Sequence, residues 1–169
     1  MKTIAAKPLS RDAFKKYGEY QDLLNDEELA EKSIFPEGFF PDVLYMDWGG
    51  QTPPTVSVCQ VKKPEKIVVN FIEAHKYTHE GLLPIDGDVV IYVGKTFGDP
   101  ETFSVDELEA FIVPKGTYVK LYPLILHGSQ FGLEEGVTHV LCQLPARTFA
   151  NDMLAKVIEK EEEMGEIVL

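Results

Sequence analysis

From Thr55 onward the chain breaks into short runs rich in Val, Ile, Phe, Tyr and Leu, at 55–61, 67–75, 88–94, 109–113, 117–126 and 137–144. Turn-forming stretches separate them: "KKPEK", "LLPIDGD", "GKTFGDPETFS", "VPKG" and "FGLEEG". Many short strands with Gly/Pro punctuation and no long helix between them predict an all-β sandwich or barrel and exclude a doubly wound α/β sheet. Before them, residues 1–10 read as an entry strand ending near Pro8. Ser10 fits the N-cap of a short helix, "RDAFKKYG", which Gly18 stops. "YQDLLNDEELAEKSIFPEG" reads as one or two helical turns, and "FFPDVLYMDWGGQTPPT" as loop. "TFANDMLAKVIEKEEEMG" is expected to be a C-terminal helix with Phe149, Met153, Val157 and Met164 as an apolar stripe and Glu159–Glu163 as a solvated face.

The 169 residues are expected to form one domain: an N-terminal strand, helical turns and loop (1–54), a β-barrel (55–148), and the C-terminal helix and tail (149–169). A formal net charge of −12 argues against binding nucleic acid through a basic surface. No window approaches transmembrane length, which excludes a membrane-spanning helix and makes a cytoplasmic location the expectation. The two cysteines, Cys59 and Cys142, lie in apolar runs and read as small buried hydrophobes in a reducing compartment.

The segment "NFIEAHKYTHEGLLPIDGD" holds the densest chemistry. Strand alternation puts Ile67, Val69, Phe71, Glu73 and His75 on one face of 67–75. Glu73 and His75 thus extend a row of buried side chains, where an unpaired charge is costly, and they need a metal, an ion pair or a substrate as partner. Two apart on a strand, they suit two ligands of one metal, and His79 and Glu80 follow after a turn that can bring them back. His127 ends the apolar run "YVKLYPLILH" and is the natural ligand from a neighbouring strand. Carboxylates plus imidazoles form a mixed O/N set acceptable to Zn, Mn, Fe or Ni. His139, mid-strand, reads as structural or as a wall of the pocket. No phosphate-binding glycine loop, nucleophile elbow or C-x-x-C is present, and "HKYTHE" lacks the glutamate of a zincin helix.

The spacing Glu73-x-His75-x4-Glu80-x6-Gly87 resembles the first cupin motif, with Glu73 in place of its first histidine, and "YPLILHG" resembles the second, ending in His127. Within the cupins, "KPLSRDAFKKYGEY", "IEAHKYTHEGLLPIDGDVVIYVG" and "LEAFIVPKGTYVKLYPLILHG" look like blocks of the ureidoglycolate lyase family and cover about half the chain. Tyr122, Leu126 and Gly128-Ser129 depart from that family's pattern. The resemblance implies a cupin-type β-barrel or jelly roll, commonly a homodimer, holding a divalent metal and acting on a small polar or anionic metabolite. The implied reaction splits ureidoglycolate into glyoxylate and urea. Glu73, His75, Glu80 and His127 would hold the metal, His79 and Tyr122 would serve as acid/base, and Lys120 and Arg147 would meet the substrate carboxylate. The alternatives are a metal cupin that isomerises or epimerises sugars or keto acids, and a non-enzymatic small-ligand binder.

Overall fold

The computed structural model describes residues 1–35, 38–50 and 52–169. The parts of the expected helical turns and loop that include residues 36, 37 and 51 lie outside the described residues. In chain order the elements are β1 (Lys2–Pro8), α1 (Arg11–Phe14), β2 (Gly18–Asp22), α2 (Asp26–Lys32), β3 (Pro54–Lys62), β4 (Ile67–Val69), β5 (Phe71–His75), β6 (Glu80–Pro84), β7 (Val89–Lys95), β8 (Glu109–Val113), β9 (Thr117–Leu121), β10 (Ile125–Leu126), β11 (Phe131–Gly132), β12 (Val137–Pro145), α3 (Thr148–Asn151), β13 (Met153–Val157) and β14 (Gly165–Val168).

One sheet runs β10-β7-β8-β1-β14-β4, with β11 also on β7; a second runs β2-β9-β6-β12-β3; and β13 pairs with β5. β4 passes through Asn70 into β5, and the Glu73 and His127 backbones exchange two hydrogen bonds of 2.8 and 2.9 Å. The first sheet therefore returns to β10 and closes a ring. The all-β, barrel-type architecture expected from the sequence is the one observed.

β7 explains how the layers stack. Its residues alternate between two cores: Val90 and Tyr92 join Ile72, Ala74, Ala110 and Leu126 inside the ring. Val89, Ile91 and Val93 join Leu82, Phe111, Val119, Leu121 and Val140 between the two sheets. Both faces are covered, so the strand reads as a continuous apolar run rather than an alternation. Each fully buried side chain of this size contributes about 1.5–3 kcal/mol of transfer free energy.

Three expectations are corrected. Past the four-residue α3, the C-terminal segment is strand, not helix: β13 lies antiparallel on β5, and β14 pairs with β1 and β4. Phe149 and Val157, read as an apolar stripe, are exposed, while Ile158 and Ile167 are buried; backbone pairing with the barrel overrides helix propensity. "LLPIDGD", read as turn, is strand as far as Pro84, and the turn that follows carries the chain between layers, because β6 and β7 belong to different sheets. The run 67–75 changes face at Asn70, so Ile67 and Val69 share a core with Ile72 and Ala74 rather than a face with Glu73 and His75. Among the described residues, no helix is long and apolar enough to cross a membrane.

Candidate metal centre

Ile72 and Ala74 point into the ring, so Glu73 and His75 face the space between the two sheets. From the opposite sheet β6 begins at Glu80, which pairs with Leu121 and shares its inward face. His127 follows Leu126, whose side chain enters the ring, and points the other way. These three alternations bring His75, Glu80 and His127 together at the end of the inter-sheet core, all three buried. Their candidate donor atoms lie within 4.8 Å of one another.

Both imidazoles are fixed from behind. His75 Nδ1 meets the Asp152 carbonyl at 3.2 Å, and His127 Nδ1 meets the Ile125 carbonyl at 2.8 Å. A carbonyl only accepts, so each Nδ1 carries the hydrogen and each Nε2 is the nitrogen aimed at the centre. There His127 Nε2 is 2.6 Å and His75 Nε2 3.4 Å from Glu80 Oε2. Despite that approach, Glu80 Oε2 and His127 Nε2 are buried without a hydrogen bond of acceptable geometry. Burial raises the Glu80 carboxyl, but the charges of His127 and His75 outweigh it and hold the pKa at about 2. Burial likewise lowers His127, and Glu80 and Glu73 reverse this to about 9. Two imidazole nitrogens and one carboxylate oxygen with unfilled valence suit a divalent transition ion.

Glu73 is placed differently. It sits directly opposite His127 in the backbone bridge, half-buried, and is not among the converging donors. Burial raises its pKa, partly offset by His127. The sequence grouped it with the ligands; the structure puts its side chain beside them.

His79, Tyr122 and Lys120 meet elsewhere. Lys120 opposes Gly81 and Glu19 in the sheet, so it lies on the face opposite Glu80. Strand parity pointed it away from His127; it is nonetheless 4% exposed, with Nζ 2.8 Å from Glu19 Oε1. Tyr122 Oη donates to the same oxygen at 2.8 Å, and burial first, then this bond, raises the phenol to about 12. His79 Nδ1 accepts the Asp47 backbone N–H at 2.6 Å, and its ring lies 5.9 Å from that of Tyr122. Burial first, then Lys120, lowers the His79 pKa. Arg147 is exposed at a left-handed position (φ 62°) and joins neither cluster. His139 pairs with Asp86 at 2.6 Å, away from both.

Sequence reasoning missed Glu19 and Asp152. The Asp152 carboxylate accepts from the Lys76 and Tyr77 backbone N–H groups and the Thr78 hydroxyl, while its carbonyl holds His75. It lies 77 positions from His75, and no local pattern marks it. A cavity of about 410 Å³ lined by Trp48, Tyr77, Thr78, Pro145 and Asp152 adjoins this residue, but none of the three converging donors lines it.

No family model and no curated protein matches the chain. Among solved structures, the chain is similar to the crystal structure of a mutant of the 3,4-ketoisomerase QdtA from Thermoanaerobacterium thermosaccharolyticum in complex with TDP-4-keto-6-deoxyglucose. The two are 20% identical with a TM-score of 0.35, and the match covers 65% of this chain and 63% of that one.

Proposed function

We propose that this chain is a metal-dependent cupin-type enzyme that moves a proton beside the carbonyl of a small, polar hydroxycarbonyl metabolite, as an isomerase or epimerase. The observation that carries this reading is the convergence of buried, unbonded Glu80 Oε2 and His127 Nε2 with His75 Nε2. A divalent ion held by His75, Glu80 and His127 would act as a Lewis acid on the substrate oxygen. Glu73, on the same strand face as His75 and outside the ligand set, would take the proton and return it.

The charges around the centre favour a neutral substrate over the anionic ureidoglycolate. Among the described residues Arg147 is exposed, Lys120 is paired with Glu19 on the opposite sheet face, and Arg11 is paired with Glu28. None of these three cations faces the three donors to anchor a carboxylate, whereas Glu73 and Glu80 add negative charge there.

The test has two stages. Purified protein should carry about one transition-metal ion per chain by elemental analysis, lost in the His75→Ala/His127→Ala double mutant. The loaded protein, offered small ketoses and hydroxyaldehydes in D2O, should place deuterium next to the carbonyl, and Glu73→Gln should keep the metal but lose this exchange. Absence of metal after reconstitution overturns the centre. Glyoxylate release from ureidoglycolate without deuterium exchange on the hydroxycarbonyls would restore the lyase reading instead.

A further inference from the structure

The two cysteines of the chain take no part in the centre described above. They were expected to be buried hydrophobes; Cys142 is buried in the inter-sheet core, but Cys59 is exposed. Their strands are paired: Cys59 lies opposite Val140, and Cys142 lies opposite Ser57. The two side chains thus occupy diagonal positions on one face of the antiparallel ladder, within reach of each other. Their sulfurs are 3.6 Å apart, with the Cys142 thiol donating to Cys59. β3 is the edge strand of its sheet and is exposed along almost its whole length, so a small reagent reaches Cys59 but not Cys142. The hydrogen bond from Cys142 also lowers the Cys59 thiol to about 7, while raising Cys142.

We infer that Cys59 and Cys142 form a redox pair that closes into a cross-strand disulfide on exposure to a small disulfide oxidant such as oxidised glutathione. Cys59, as the thiolate, attacks one sulfur of the oxidant; the oxidant's S–S bond breaks, and the first glutathione leaves, taking the proton that Cys59 gave up. Cys142 then attacks the Cys59 sulfur of the mixed disulfide, and the second glutathione leaves with the Cys142 proton. Two cysteine thiols are oxidised, and one glutathione disulfide is reduced to two thiols. Exposure makes Cys59 the attacking residue, and the buried neighbour is the resolving one. Closure needs the sulfurs to move from 3.6 Å to about 2.05 Å, and the diagonal positions require the edge strand β3 to shift toward β12 as well. The closed loop runs from 59 to 142 and contains His75, Glu80 and His127. Oxidation should therefore restrict the unfolded chain and raise the melting temperature by up to about 10 °C.

Native protein incubated with oxidised glutathione, then denatured, alkylated and weighed intact, decides the matter. The expected wild-type product has lost the mass of two hydrogens, takes up no alkylating agent and has the mass of one chain. Cys142→Ser should stop at a single glutathione adduct on Cys59, and Cys59→Ser should stay unmodified in the native state. A wild-type protein that accumulates the Cys59 adduct with Cys142 still alkylatable, that cross-links between chains, or that does not react at all overturns the inference.

Discussion

The two faces of β6 and β9 carry two polar clusters a few residues apart in sequence, the inner one buried and the outer one partly open to solvent, built on opposite terms. On the outer face every named polar atom has a partner: one Glu19 oxygen takes both Lys120 and Tyr122, and His79 is held in both directions by the Asp47 backbone. On the inner face the rear nitrogens of His75 and His127 are held, but the front atoms crowd within 2.6–3.4 Å of Glu80 Oε2 without satisfying Glu80 or His127. A saturated network fastens a loop to a sheet; an unsaturated one, orphaned at a cost of about 1–3 kcal/mol per buried group, persists where something else completes it. The first fits scaffold, the second the metal proposed above.

The sharpest way to break this comparison is metal affinity. His127→Ala removes one of three converging donors and should weaken binding by more than about 100-fold, a larger loss than outer-shell changes give. Glu19→Gln, which cuts the outer network, should change affinity by less than about 2-fold. Titration of metal-stripped protein against a chromogenic chelator reads both. Equal losses in the two variants would mean that the faces are one cooperative site and that the division drawn here is false.

The next effect is on stability. A Cβ on Gly128 would lie 1.9 Å from Tyr92 Oη, and on Gly81 equally 1.9 Å from Tyr118 Oη. Tyr92 is 2% exposed and donates to the Phe71 carbonyl at 2.7 Å, behind the inner cluster, so it has nowhere to go. Tyr118 is only half-buried on the outer face, bonded to Gln143 at 2.5 Å, and can swing outward. Gly128→Ala should cost about 2–4 kcal/mol and Gly81→Ala about 1 kcal/mol in denaturant melts.

What the sequence made legible follows the same division between local and distant causes. The run 109–113 coincides with β8, and 137–144 falls within β12, because β-branched residues between Gly/Pro turns state their own conformation. β5 placed Glu73 and His75 on one face by simple alternation. β6 was read as turn, since Glu80, Gly81 and Pro84 are poor strand formers that pairing with β9 and β12 holds extended. β13 was read as helix and β14 as tail for the same reason in reverse: their partners, β5, β1 and β4, lie far away in the chain. Three of the four proposed ligands converge; the fourth, Glu73, pairs with His127 through the backbone and lies outside the converging donors, a pairing no spacing rule reveals.

The smallest difference lies in how the metal-free protein responds to alkali. His127 has a folded pKa raised to about 9, from the ordinary 6.5. Its contribution is fully present below the unfolded value and fades as pH rises from 6.5 through 9. For so buried a pair it amounts to at most about 3 kcal/mol. Tyr122 is raised from 10 to about 12, so its contribution is present below pH 10 and fades only between 10 and 12. Acid does not separate the faces, because Glu80 and Glu19 are both lowered and both lose their contribution as pH falls below the usual 4.5. Glu19 is about half exposed, and solvent keeps its share under about 1 kcal/mol. Thermal midpoints of stripped protein should thus decline first between pH 6.5 and 9, and His127→Gln should abolish that limb while leaving the one above pH 10. A decline in the lower window that persists in His127→Gln would assign it to another group and remove the proton that a metal at this centre has to displace.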